Sequence, residues 1–206
     1  MNCRCCIMII TLIVLCMNTA EAGSPGAHGG GLKAGILFSS PSGGDREEFE
    51  VEAINTFTLG VFHRYTFSRA LSIQTEGYYA HKGSKGHYYL TDGEVNIYYL
   101  DFDSVYQWRV LDREGPFAYL YLGPFFSMKM GASVKREGSQ SYNIDSYIKP
   151  YDFGYVIGGK IGLSKGVNEF AIDIRYASGL IAPDDTGNEI DLKNRTITVM
   201  FEMYLE

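Results

Sequence analysis

Apolar and polar residues alternate with period two along most of this chain. In residues 169–180, EFAIDIRYASGL, Phe170, Ile172, Ile174 and Tyr176 take turns with Ala171, Asp173, Arg175 and Ala177. Such spacing places the two sets on opposite faces of a strand. Eight segments of this kind follow one another, at about 31–39, 55–66, 70–80, 95–108, 116–131, 152–164, 169–180 and 194–206. None carries a 3.6-residue period over twelve positions, so no long helix is predicted.

The connections sharpen the prediction. PSGGDREEFEVEA is a long one, the turn around Phe67, Ser68 and Arg69 is tight, and 81–94 is long again. The series continues with a short link at 109–115, a long one at 132–151, the tight KGVN turn at 165–168 and a long one at 181–193. Regular alternation of long and short links predicts an all-β fold, an eight-stranded antiparallel up-and-down β-barrel. With an even strand number, both termini fall on the short-turn side.

Which face lies inside decides the solvent. In DFGYVIGGKIGLS, residues 152–164, one parity holds Phe153, Tyr155, Ile157, Gly159, Ile161 and Leu163. The other holds Asp152, Gly154, Val156, Gly158, Lys160, Gly162 and Ser164. Glycine weakens a strand unless close packing demands it, and a solvated face has no need of three. The narrow interior of an eight-stranded barrel does need small residues interleaved with a few long ones. Other segments read the same way. Ser72, Gln74, Glu76 and Tyr78 face away from Leu71, Ile73 and Tyr79, and Asp101 and Asp103 lie opposite Leu100, Phe102, Tyr106 and Trp108. Residues 194–206 set Arg195 and Glu202 against Ile197, Val199, Phe201, Met203 and Leu205.

The barrel is therefore predicted to be transmembrane, with an ionic lumen. In it Arg64, Lys129, Lys160, Arg175 and Arg195 meet Glu76, Asp101, Asp103, Asp173 and Glu202, because buried charges persist only when paired. The alternative is a soluble lipocalin-like ligand-binding barrel with the parities reversed, since alternation alone is symmetric between the two.

Composition and the N-terminus agree with export. The chain has 206 residues, 24 Gly, 16 Tyr, 12 Phe and a formal net charge of −6, which gives no basic surface for nucleic acid. Arg4, the apolar run from Ile7 to Met17 and the Ala20-Glu21-Ala22 signal mark residues 1–22 as a signal peptide cleaved after Ala22. The bulky Leu15 argues against the rival use of Cys16 as a lipidated terminus. All four cysteines (Cys3, Cys5, Cys6, Cys16) fall in that segment, so the exported chain has no disulfide. Residues 23–30 read as a flexible lead-in and 31–206 as the barrel.

At this level the sequence resembles a known family. GLKAGILFS, FHRYTFSRALSIQTEGYYAHKG, YYLDFDSVYQW, GPFAYLYLGPFFSMKMGA, DFGYVIGGKIGL, FAIDIRYASGL and NRTITVMFEMYL recur in the order seen in PorT-like outer-membrane β-barrel proteins of Bacteroidetes-type bacteria. Glu76 and the pair Arg175-Tyr176 match residues typical of that family's third and seventh strands. Two features depart from it: Asp101-Phe102-Asp103 replaces a proline-containing fourth-strand motif, and the chain ends Tyr204-Leu205-Glu206 without a terminal aromatic. The resemblance implies an outer-membrane location with long loops extracellular and both termini periplasmic. The partners it implies are membrane lipid, the barrel-insertion machinery and secretion-system or surface proteins.

Chemistry on the chain is sparse. Gly154 to Lys160 spells G-x-x-x-x-G-K, but Ile161 stands where a phosphate loop needs Ser or Thr, and the run lies within a strand. His81, Lys82, Lys85 and His87 gather in one predicted loop as candidates for binding a metal or phosphate. Asp184, Asp185, Glu189 and Asp191 do so in another as calcium candidates, without a recognised spacing. No cofactor is predicted. For a lipid-modifying enzyme, His63 and Ser68 lie near each other in sequence as a base and a nucleophile, but no signature frames them. The function expected is non-enzymatic, with a barrel enzyme acting on envelope lipids as the alternative.

Overall fold

A computed structural model describes residues 25–42, 51–88, 91–112, 115–136, 141–165, 168–181 and 193–205. Among these residues nine strands form: β1 (His28–Ser42), β2 (Val51–Thr66), β3 (Leu71–Tyr88), β4 (Thr91–Asp112), β5 (Pro116–Arg136), the short β6 (Ser141–Asn143), β7 (Tyr151–Lys165), β8 (Asn168–Gly179) and β9 (Lys193–Leu205). All pairings are antiparallel. Pairing runs β4-β3-β2-β1-β9-β8-β7-β5 and returns from β5 to β4, which closes an eight-stranded barrel; β6 lies beside the far end of β5. The one helical turn among the described residues, Asp145–Tyr147, follows β6. No helix among the described residues is long and apolar enough to cross a membrane.

The inside-out arrangement expected from the pattern is the one observed. Ile161, Ile174 and Ile172 are 67%, 55% and 43% exposed on the outer wall, while Lys160, Asp173 and Arg175 are buried. An outer wall this rich in exposed Leu, Ile, Phe and Tyr is far larger than the apolar patches of soluble monomers and suits hydrocarbon. Aromatic rings mark its edges. Tyr65, Phe67, Tyr106 and Trp108 lie near the tight turn between β2 and β3, and Phe57, Tyr79, Phe126, Tyr151 and Phe153 towards the opposite end.

The glycines of the inward parity fill a packing role. Gly154, Gly158 and Gly162 of β7 pair with Phe125, Tyr121 and Phe117 of β5, and a Cβ at any of them would collide with that aromatic ring. Rings therefore lie flat across the neighbouring strand, which is how a narrow lumen holds this many aromatic residues.

Two boundaries differ from the sequence reading. β1 begins at His28, inside the span predicted to be a flexible lead-in. Gly29 and Gly31 are covered by the rings of Tyr204 and Phe62, so a segment that looks unstructured by composition is a strand packed under its neighbours' aromatics. The predicted long loop 81–94 is instead mostly β-ladder, with β3 and β4 paired from Leu71↔Trp108 out to Tyr88↔Thr91. Residues 81–86 read HKGSKG, with no apolar residue at either parity, so the hydropathy alternation fades although the backbone pairing continues. The predicted signal peptide, residues 1–22, lies outside the described residues.

Replacing Ile174, central in β8 on the outer wall, by Lys is expected to cost about 2–4 kcal/mol of folding stability in a bilayer. Urea unfolding of the barrel in liposomes would measure it, with the wild type as reference.

Candidate functional site

Every barrel strand sends a polar side chain into one buried knot at the barrel centre. Lys33 (β1) sits among three carboxylates, with Nζ 2.6 Å from Glu76 Oε2 (β3), 2.9 Å from Glu202 Oε1 (β9) and 3.3 Å from Asp173 Oδ2 (β8). Arg175 (β8) donates from Nη1 to Glu76 Oε2 at 2.7 Å and to Asp103 Oδ2 (β4) at 2.8 Å, and from Nη2 to Glu76 Oε1 at 3.1 Å and to Asp173. Lys160 (β7) reaches Glu202 Oε2 at 3.0 Å and Gln74 Oε1 at 2.9 Å. Arg64 (β2) pairs with Glu169 at 2.5 Å and donates to Gln74 Oε1 at 3.2 Å. Tyr121 (β5) donates its hydroxyl to Asp173, and Tyr78 donates to Asp103 at 3.0 Å.

Glu76, Asp173 and Glu202 bring carboxylate oxygens within 4.8 Å of one another, the one such acidic convergence among the described residues. The ammonium of Lys33 occupies its centre, so the cation this cluster needs is supplied by the chain itself. The geometry therefore gives a structural ionic core and not a metal centre.

A second layer lies on the long-hairpin side. Leu37, Tyr78, Ala80, Ile97, Tyr99 and Ala132 form an apolar cluster, against which Ile144 and Ile148 pack from the segment around the helical turn. That segment is tied down by Lys129, whose Nζ donates to the carbonyls of Asp145 and Ile148, and by Asp145, which accepts from the Ala132 amide. Residues 144–148 thus cap one mouth of the barrel.

Of the ten residues predicted for the lumen network, Arg64, Glu76, Asp103, Lys160, Asp173, Arg175 and Glu202 meet in the central knot. Asp101 is buried nearby and pairs with Lys82 at 2.8 Å. Two sit elsewhere. Lys129 bonds the cap's backbone carbonyls in place of a carboxylate, because the Met130 bulge against β4 ends the regular register there. Arg195 is exposed on the outer wall: it shares the odd parity of Ile197 and Val199, opposite to Glu202.

The loop candidates are also redistributed. Lys82 is buried in the lumen and not in a loop, and its ammonium also donates to Ser127 at 3.1 Å. His81 and Lys85 lie on the outer face of β3; His81 is within 2.6 Å of Asn96 and stacked on Tyr98, and Lys85 is 3.3 Å from Glu94. His87 belongs to β3 at its far end, paired with Asp92 through the backbone. Asp184, Asp185, Glu189 and Asp191 lie outside the described residues. His63 lies beside His28, ring centres 6.1 Å apart, while Ser68 Oγ accepts the turn amides of Ala70 and Leu71 at 3.3 and 3.1 Å.

Sequence reasoning missed Lys33 and Glu169 as network members. Lys33 lies in GLKAG, where small neighbours dilute the alternation; Glu169 opens its strand beside a turn and read as a boundary residue. The inward parity of each strand carried the signal.

A closed, ion-filled β-barrel with an apolar outer wall is the form of an integral outer-membrane protein. The chain belongs to the family described as outer membrane protein beta-barrel domain, which matches residues 26–182. No curated protein matches the sequence. Among solved structures, the outer membrane protein OprG from Pseudomonas aeruginosa is similar with a TM-score of 0.53 at 11% identity, covering 88% of this chain and 96% of that one. Neisserial surface protein A gives 0.51 at 14% identity, covering 89% and 98%. The attachment invasion locus protein Ail of Yersinia pestis gives 0.46 at 16% identity, covering 88% and 99%. At these identities the likeness is one of fold.

Arg175→Met would remove the guanidinium that Glu76, Asp103 and Asp173 share. A loss of about 3–5 kcal/mol is expected, whereas Arg195→Ala should change stability by less than about 0.5 kcal/mol. The unfolding midpoint of each variant, followed by the gel shift of the heat-modified barrel, compares them. For the cap, Lys129→Met is expected to raise hydrogen exchange at the amides of residues 144–148 by at least about tenfold, with the β7 and β8 amides unchanged.

Proposed function

We propose that this protein is a non-enzymatic outer-membrane barrel that works through its outer surface and not by passing solute. The observation that carries this reading is the contrast between a filled lumen and an overbuilt wall. Among the described residues the ionic knot and the cap of residues 144–148 fill the lumen with side chains, as expected for eight strands. Meanwhile β3, β4 and β5 run for 18, 22 and 21 residues, against the roughly 9–11 that span a bilayer. The surplus rises beyond the aromatic edge at the long-hairpin end, which faces outward, with both termini periplasmic.

Within the family, the run of motifs from GLKAGILFS to NRTITVMFEMYL supports the PorT-like likeness. Through it comes a part in protein secretion or envelope assembly, with secretion-system or surface proteins as partners of the outer hairpins. Ser68, whose hydroxyl is engaged within its own turn, supports this over an enzyme acting on lipids.

With all cysteines confined to the first 16 residues, single introduced cysteines report topology cleanly. Ser141→Cys should react with a membrane-impermeant maleimide on intact cells, and Arg69→Cys only after the envelope is permeabilised; the reverse pattern would invert the orientation. Deleting the gene should leave the mass spectrum of the envelope lipids unchanged. A lipid change reproduced by combined alanine substitution of His63 and Ser68 would establish the enzyme instead.

A further inference from the structure

The wall above the membrane band contains a defect with chemical consequences. Between Ala53↔Ser84 and Thr58↔Ala80 the β2–β3 ladder loses register, so that residues 54–57 of β2 face only residues 81–83 of β3. Thr56 Oγ1 donates to His81 O at 2.6 Å, and the Gly83 amide donates to Ser39 Oγ of β1 at 3.1 Å, so side chains stand in for ladder bonds across the gap. A cavity of about 420 Å³ opens there. Its chemistry comes from Glu52, Asn55, His81, Lys85 and Glu94, with Phe57 at the edge, 59% exposed.

Three of these groups, His81, Lys85 and Glu94, are held by neighbouring side chains. The His81 ring is fixed by stacking on Tyr98 with centres 4.6 Å apart and by the 2.6 Å contact of Nε2 with Asn96 Oδ1; when Nε2 donates there, Nδ1 is left as an acceptor. Lys85 is turned to Glu94 at 3.3 Å. Carboxylate, amide and imidazole acceptors therefore lie close to ammonium and amide donors, next to one aromatic edge. Adjacent hydroxyls on a pyranose ring, which donate and accept at neighbouring positions and present C–H groups beside them, match this set.

Depth and charge narrow the ligand. Gly83 lies four residues beyond Tyr79 on β3, about 13 Å further along the strand, at headgroup level if Tyr79 marks the edge of the hydrocarbon. Two carboxylates against one lysine disfavour phosphate or sulfate. We propose that this cavity binds a neutral or amine-bearing sugar unit of a surface glycan or glycolipid. The proposal rests on the outward orientation above only for where that sugar comes from.

The test uses the full chain folded in detergent micelles with 15N-labelled histidine, so that membrane orientation does not enter. Glucose, galactose, glucosamine and N-acetylglucosamine are titrated separately, with inorganic phosphate as the competing chemistry. At least one sugar should shift the His81 imidazole signals saturably, and Glu94→Gln and Asn55→Ala should each weaken that response by about tenfold. Heat-modifiability confirms that each variant is folded; if one fails, the other carries the comparison. Absence of a saturable shift with all four sugars, an equal response in the folded variants, or preferential binding of phosphate would overturn the proposal. Sugar binding in micelles combined with inverted cysteine labelling would keep the pocket and reject only the orientation.

Discussion

The whole barrel depends on bringing charge of both signs to one place inside a low-dielectric wall. Lys33, Arg175 and Lys160 are each held by carboxylates from other strands, and none of those carboxylates has water to fall back on. A partly formed barrel leaves several ions without partners, which costs far more than losing one packed methyl group. Closure of β4 on β5 brings Asp103 and Tyr121 to the knot, and closure of β1 on β9 brings Lys33 to Glu202. The knot is a specificity device as well as a filler, because a strand slipped by one residue would turn its ion to lipid.

Around that knot the remaining features fall into levels. Glycine opposite aromatic across β5 and β7 lets the rings lie against the neighbouring strand. The apolar cluster and the cap held by Lys129 seal the side of the long hairpins. Lys82 still faces the lumen, but residues 81–86 of β3 carry no apolar side chain on either face. The β2–β3 register breaks in that stretch.

Much of the architecture was legible in the residues, and the failures are instructive. Period-two alternation located and counted the barrel strands, and the alternation of link lengths gave their up-and-down order. The Gly-and-charge parity of residues 152–164 chose the inside correctly. Arg195 was misplaced because its charge was weighed ahead of its position: it is two residues from Ile197 and necessarily shares its face. Lys82 was assigned to a loop because the hydropathy signal had faded, although the even parity of Gln74, Glu76 and Tyr78 continues through it to the lumen. The lead-in glycines misled through composition, since nothing local reveals that Tyr204, some 170 residues away, covers Gly29.

Face assignment belongs to the sequence, because a strand's two-residue period is fixed by backbone geometry and needs no partner to be read. The placement of glycine and charge on one parity adds the choice of lipid over water as outer solvent. Which lysine meets which carboxylate, where the ladder slips and what caps the mouth were decided only by the closed fold. Those contacts join residues up to 169 positions apart, through strand shear and ring packing that no stretch of the chain encodes alone.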